Sequence, residues 1–197
     1  KIDDLVNFAE KEKLPAIALT DYKLLSGVLE FSIKCQKKGI QPIIGLDVDY
    51  LSILKNLSRL TILSKNEIGF KNLNILSTKI NTENDFQLSH KNIQNFSEGN
   101  ILILGGLYSY FEDLNINKNN LKLILDEINT LKKIFKSDIF FELEDNLDNK
   151  LLNEISRKCN INCFPSSFSF YKQDKDFDAI KILHCLKNGE YLQNTSF

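Results

Sequence analysis

The chain has 197 residues, of which 43% are hydrophobic and 26% charged, and its net charge is −1 at neutral pH. Such a composition suits one globular domain with a substantial core, and the near-neutral balance excludes a global field that would draw it to nucleic acid or a membrane surface. The basic residues are lysines except for Arg59 and Arg157; bidentate phosphate and guanine contacts favour arginine, so direct DNA reading is not expected.

The first segment, Lys1 to Leu14, has helical spacing. Asp3 or Asp4 is placed to cap it, and Leu5, Phe8 and Ala9 share a face. Pro15 ends that helix, Ala16 to Leu19 is a short buried strand, and Thr20 to Leu25 is its loop. A second helix, from about Gly27 to Lys38, buries Val28, Phe31, Ile33 and Cys35 and stops at Gly39. Gln41 to Tyr50 is the next strand, opened by Pro42, and Leu51 to Ser58 is a short link.

Arg59 to Ser64 is a strand, and Ile68 to Ile80 is helical through Phe70, Leu73 and Leu76. A polar loop, Asn81 to Gln87, leads to a short helix from Ser89 to Phe96, and Asn100 to Leu104 is a strand closed by Gly105-Gly106. A long amphipathic helix follows from about Asn119 to Phe135, then a strand from Asp138 to Leu143. The remainder reads as a helix from Asp148 to Cys159, a strand from Ile161 to Phe164, a turn at Pro165-Ser166-Ser167 and a last helix ending near Asn188-Gly189. Alternation at about six strands predicts an α/β fold with a mostly parallel sheet, either open or closed into a barrel.

Chemistry in such folds sits in the loops after the strands. Those loops carry Thr20-Asp21-Tyr22, Asp47 with Asp49, Lys65-Asn66, Gly105-Gly106, Glu144-Asp145 and Ser166-Ser167. Carboxylates are present, but the two histidines, His90 and His184, fall in predicted helices. Gly105-Gly106 lacks the lysine and spacing of a phosphate loop, and Ser166-Ser167 has no base beside it. Asp21 with Asp47 is the residue pair suited to acid–base chemistry; the competing reading, favoured here, makes such carboxylates helix caps or loop acceptors.

The four cysteines are Cys35, Cys159, Cys163 and Cys185. Cys159-x3-Cys163 with His184-Cys185 gives a zinc reading, but structural zinc sites have tighter paired spacings, and adjacent helical residues point apart. Free thiols are the expectation. No apolar run has the length of a membrane span and no signal peptide opens the chain, which points to the cytoplasm. The chain contains no methionine and begins at Lys1, so it reads as a piece of a longer protein.

Leu14-Pro15-Ala16-Ile17-Ala18-Leu19-Thr20-Asp21, Gly27-Val28-Leu29-Glu30-Phe31 and Lys38-Gly39-Ile40-Gln41-Pro42-Ile43-Ile44-Gly45 resemble the PHP (polymerase and histidinol phosphatase) domain. The version they look most like stands at the N-terminus of bacterial DNA polymerase III alpha subunits. Leu60 to Asn66, Gly69 to Leu73, Glu98 to Ile101, Phe141 to Glu144 and Asn188-Gly189 continue the likeness in order. The resemblance implies a distorted seven-stranded β/α barrel made by one domain over residues 1–197, with the first strand and its His-x-His motif missing upstream.

Active members of that family bind metal ions at the strand ends, and this sequence departs from their ligand pattern. Against that pattern, the resemblance puts Tyr22 at a histidine position after Thr20-Asp21, and Asp47 where a glutamate is expected. Arg59 falls on a histidine, Leu107 on a ligand, and Phe168 and Phe170 on an Asp-x-His pair. Phenylalanine and leucine cannot coordinate a cation, and arginine repels one. The expectation is a vestigial site with no metal, no cofactor and no phosphoesterase activity, its cavity filled by Tyr22, Phe168 and Phe170.

What the family then implies is a structural domain that supports the polymerase core and docks the proofreading exonuclease subunit. DNA would be met only indirectly, through the holoenzyme. The alternative is a metal-dependent phosphoesterase or 3′–5′ exonuclease using Asp21, Asp47 and upstream histidines. A third reading is a free-standing α/β binding protein.

Overall fold

The computed structural model describes residues 1–105, 120–144, 150–166, 177–189 and 191. The chain divides into two compact units, residues 1–166 and 167–197. The first holds helices α1 (Ile2–Lys11), α2 (Val28–Lys37), α3 (Glu67–Thr82), α4 (Leu121–Phe135) and α5 (Lys150–Cys159), with a 3-10 turn at Ile93–Phe96. Its strands are β1 (Ala16–Leu19), β2 (Gln41–Leu51), β3 (Leu57–Ser64), β4 (Asn100–Gly105), β5 (Ile139–Glu144) and β6 (Asn162–Ser166). The second unit holds α6 (Phe177–Asn188). Among the described residues no helix is long and apolar enough to cross a membrane.

The six strands form one sheet in the order β1-β2-β3-β4-β5-β6. Pairs β1/β2, β4/β5 and β5/β6 are parallel, whereas β3 runs antiparallel to both β2 and β4. Five of the six strands therefore run the same way, in line with a mostly parallel sheet, and β3 alone is reversed. The cause is local: the residues between β2 and β3 form a tight hairpin, in which Ser52 N–H donates to the Asn56 carbonyl at 3.0 Å. So short a connection permits only antiparallel pairing. One consequence is positional, because Lys65-Asn66 then falls at the opposite end of the sheet from the loops after β1, β4 and β5. There Lys65 pairs with Asp138, before β5, at 2.7 Å.

Strand alternation sets what each face carries. Leu46, Val48 and Tyr50 of β2, Leu60 and Ile62 of β3, and Leu102 and Leu104 of β4 are all buried. They meet Leu73 and Leu76 of α3, Ile124, Ile128 and Leu131 of α4, and Ile155 of α5 in the main core. A smaller core joins Val6 and Ala9 of α1 to Phe31 and Cys35 of α2, against Ile17, Leu19 and Ile44.

Several local expectations are corrected. Helix α1 starts after Lys1 without a side-chain cap; Asp3 and Asp4 lie inside its first turn, where carboxylates favour the helix dipole without capping it. Strand β1 is an edge strand and only partly buried. Ile33 is 43% exposed, since it lies off the α2 face that carries Val28, Phe31 and Cys35. Residues 89–96 form a turn and a single 3-10 segment rather than an α-helix. Pro165-Ser166 belongs to β6, pairing Leu143 and Glu144, not to a turn.

Candidate functional site

The face of the sheet opposite the main core carries the polar residues of β2 and β3. With Leu46, Val48 and Tyr50 turned inward, period-two geometry turns Asp47 and Asp49 to the other face, and Arg59 of β3 joins them there. In the β2–β3 register Arg59 lies opposite Asp49, and Thr61 opposite Asp47. Beyond the end of β1 the chain returns to β2, where Tyr22 forms an isolated parallel bridge with Asp47. Asp47 N–H donates to the Asp21 carbonyl at 3.1 Å, and Lys23 N–H donates to the Asp47 carbonyl at 2.8 Å.

That backbone pairing delivers Tyr22 and Lys23 to the two aspartates. The Tyr22 hydroxyl donates to Asp49 Oδ2 at 2.7 Å, and Lys23 Nζ lies 2.5 Å from the same oxygen. Arg59 Nη2 stands 3.2 Å from Asp47 Oδ2, with its guanidinium carbon 4.1 Å from the centre of the Tyr22 ring. Lys23 Nζ approaches that ring too, at 4.7 Å. The aromatic ring thus accepts two cations while its hydroxyl serves one of the carboxylates, a mixture of cation–π and charge-assisted bonding.

Burial decides how much these contacts matter. Arg59 and Asp47 are 28% and 23% exposed, and Lys23 and Asp49 are 29% and 23% exposed. Pairs at that depth are screened less than exposed surface pairs. Burial pushes the Asp47 carboxyl up to about 6; the Arg59 guanidinium opposes the rise, and Asp49 and Glu142 add to it. For Lys23, burial lowers the pKa, but hydrogen bonding to Asp49 and Tyr22 outweighs it and leaves the ammonium above its ordinary value. Glu142 of β5 in turn accepts a hydrogen bond from the Ser166 hydroxyl of β6.

Asp21, Tyr22, Asp47 and Arg59 are therefore brought to one place, and the geometry revises two readings of them. Of the two roles expected for the carboxylates, the helix cap does not apply: Gly27 holds the cap position of α2 with no side-chain cap bond, and Asp47 lies within a strand. Tyr22 is not packed filling, for it is 43% exposed and held by polar contacts. Leu107, Phe168 and Phe170, with Gly106 and Ser167, lie outside the described residues. Nothing in the sequence marks Lys23, Glu142 and Ser166 as one cluster. The detectable signal was the alternation Leu46-Asp47-Val48-Asp49-Tyr50, which puts two charges on one face and demands cations nearby.

Cys159, Cys163 and His90 lie on other elements of the first unit. Cys159 ends α5 and Cys163 lies in β6, both free thiols, and burial raises the Cys159 pKa. Cys185 belongs to the second unit, and the side chain of His184 lies outside what is described. His90 sits in the turn before the 3-10 segment. Among the described residues no three His, Cys, Asp or Glu side chains are grouped to hold a metal ion.

Comparison with known proteins decides the family. The family model described as "PHP domain" matches residues 1–146. The chain belongs to the PHP domain family. DNA polymerase III subunit alpha of Buchnera aphidicola (from Acyrthosiphon pisum) is 31% identical over 99% of this PHP chain. The subunits of the same name from Borreliella burgdorferi and Bacillus subtilis are 29% and 26% identical over 96% and 97% of it. In each case the match spans only 18% of the relative's own length. A solved structure from Bifidobacterium adolescentis, described as that of a metal-dependent phosphoesterase, covers 84% of this chain and 81% of its own with a TM-score of 0.55. At 9% identity that is a likeness of PHP-type fold alone.

Proposed function

We propose that this PHP domain is a non-catalytic, structural part of the alpha subunit of a replicative bacterial DNA polymerase, acting in DNA replication in the cytoplasm. The observation that carries the reading is the Arg59–Asp47 ion pair, with the Tyr22 hydroxyl and Lys23 ammonium on Asp49. A divalent cation does not fit this donor set. It would have to displace a guanidinium 3.2 Å from one aspartate and an ammonium 2.5 Å from the other. Adding a doubly charged ion beside both would be strongly repulsive in a half-buried site. The site positions Asp21, Tyr22, Asp47, Arg59, Leu107, Phe168 and Phe170 are read as a vestige, with no cofactor.

On this reading residues 1–197 are one PHP domain. Its sheet is completed to a seven-stranded barrel by an upstream strand beside the β1 edge. Its partners are the remaining domains of the alpha subunit, whose polymerase carboxylates lie elsewhere in the chain, and the proofreading exonuclease subunit; DNA is reached only through that assembly. Support comes from the near-complete alignment with three subunits named DNA polymerase III alpha.

The test is metal content and turnover in the full-length protein. Elemental analysis is expected to find no stoichiometric manganese, iron or zinc, and Mn²⁺ to elicit no hydrolysis of a phosphomonoester or of 3′-terminal nucleotides. The rival reading is a metal-dependent phosphoesterase or 3′–5′ exonuclease. It draws on the exposed Asp21 at the strand end and on Asp47, whose pKa of about 6 lies in the range for proton transfer. Mn²⁺-dependent turnover abolished by Asp21→Ala would establish it. Co-purification of the exonuclease subunit with the full-length protein, lost on deleting this domain, is the expected result for the docking role.

A further inference from the structure

The carboxylates on the open face of the sheet are matched by cations of the protein's own. Asp47 and Asp49 project from one strand, two residues apart, and Glu142 adds a third negative charge within electrostatic reach of Asp47. Left alone, so much half-buried negative charge would drive the strands apart or recruit a cation from solution. Instead Arg59 lies between the Asp47 carboxylate and the Tyr22 ring, at 3.2 and 4.1 Å. Lys23 and the Tyr22 hydroxyl close on Asp49.

We infer that Arg59 is a built-in cation that does the structural work a bound metal ion would do, tying β2, β3 and the segment after β1 into one rigid rim. The guanidinium suits that role better than an ammonium. It is flat, so its face can lie over the Tyr22 ring while Nη2 stands 3.2 Å from the Asp47 carboxylate, and it stays charged at every accessible pH. It also reaches from β3 to groups on two other segments, as an ion with several ligands does. The diagonal choice of Asp47 over the directly opposed Asp49 matters, because it leaves Asp49 free for Lys23 and Tyr22 and distributes one cation to each aspartate. This inference rests on the non-catalytic reading and adds to it a specific agent of metal independence.

The experiment is amide hydrogen exchange on the full-length protein, followed in peptides that cover residues 20–23 and 41–64, in EDTA and in millimolar Mn²⁺. Wild-type exchange there is expected to be the same in both conditions. Arg59→Gln should exchange about tenfold faster in those peptides, and Mn²⁺ should slow it again by neutralising the orphaned Asp47. Arg59→Gln combined with Asp47→Asn, which removes the orphaned charge, should return towards wild-type exchange and lose the Mn²⁺ response. Arg59→Lys, which keeps the charge but not the flat stack, should fall between wild type and Arg59→Gln without responding to Mn²⁺. Unchanged exchange in Arg59→Gln, with wild type indifferent to Mn²⁺, would overturn the inference and leave the non-catalytic reading standing. Wild-type strands that Mn²⁺ protects and EDTA loosens would overturn that reading itself.

Discussion

Arg59 faces Asp49 across the β2–β3 ladder, yet its guanidinium bonds to Asp47, the next aspartate on the same face. Direct opposition would favour the pair with Asp49, but that carboxylate is already held by the Tyr22 hydroxyl at 2.7 Å and the Lys23 ammonium at 2.5 Å. The segment after β1 thus supplies the cation and the hydroxyl on Asp49, while the guanidinium from β3 stands on Asp47.

Tyr22→Phe separates the two jobs of that ring. The aromatic face for Arg59 and Lys23 is retained, while the hydroxyl on Asp49 is lost. A hydrogen bond to a charged acceptor in a half-exposed setting contributes about 1 kcal/mol, so a loss near that size is expected in the full-length protein. Tyr22→Ala removes the stacking surface as well and should cost roughly twice as much. Local exchange of peptides around residues 20–23 measures both, and equal effects from the two variants would assign the whole contribution to the hydroxyl.

The acidity of Asp47 has a sign that can be checked. Its folded pKa, about 6, lies above the ordinary 3.8 because burial disfavours the ionised form. The folded state therefore holds this proton more tightly than the unfolded chain does. The stability it contributes is complete below pH 3.8 and is lost as pH rises through 6. Protection of β2 and β3 is thus expected to decline across that window by at most about 3 kcal/mol, after correction for the intrinsic pH dependence of exchange. Asp47→Asn should flatten the decline. Arg59→Gln should shift it to higher pH, since Arg59 is the group that opposes the rise.

The order of helices and strands was legible because each element announces itself locally. Phe31 and Cys35 mark the buried side of α2, and Leu73 and Leu76 that of α3. The direction of β3 was not, because parallel and antiparallel strands share a period of two and the choice lay in the Ser52–Asn56 turn, whose residues read only as a link. At the site, Tyr22, Asp47 and Arg59 stood out as departures from a metal-ligand pattern, which says what they are not. Their mutual bonding was invisible, since residues 22, 49 and 59 meet only through strand register and a backbone bridge. Lys23 was hidden for the same reason, as one lysine among many.

At the other end of the sheet, Gly69 and Gly99 touch where the first turn of α3 meets the turn before β4. A Cβ at Gly69 would overlap the Gly99 carbonyl oxygen and crowd Asn100 Oδ1. That carbonyl cannot retreat, because it accepts the Lys65 N–H at 2.8 Å. Gly99 has φ +72°, and a side chain there would strike Asn66 Oδ1, the cap of α3, which accepts Gly69 N–H at 3.0 Å. Gly69→Ala is expected to cost about 3 kcal/mol or more. Asn66→Ala, which removes only the cap, should cost about 1 kcal/mol. Denaturant unfolding followed by exchange in α3 ranks the two, and similar costs would mean that the turn relaxes around a methyl group.

Glu127, buried in α4 at 2% exposure, is the last test because it fastens a helix to the β2–β3 hairpin. Its Oε1 accepts the Tyr50 hydroxyl at 2.7 Å and the Ile53 N–H at 3.0 Å. Burial and the adjacent carboxylate push the Tyr50 phenol far above its ordinary pKa, so it remains a donor throughout the working range. Glu127→Gln keeps a carbonyl acceptor in the same place and should cost about 1 kcal/mol, the difference between a charged and a neutral acceptor. Tyr50→Phe leaves a buried carboxylate short of one donor and should cost roughly 2 kcal/mol. Glu127→Ala takes the acceptor away from a hydroxyl and a backbone N–H together and opens a cavity, for about 3 kcal/mol. Denaturant titration of the three variants gives the order. If Glu127→Gln proves as damaging as Glu127→Ala, the negative charge rather than the acceptor position holds the hairpin.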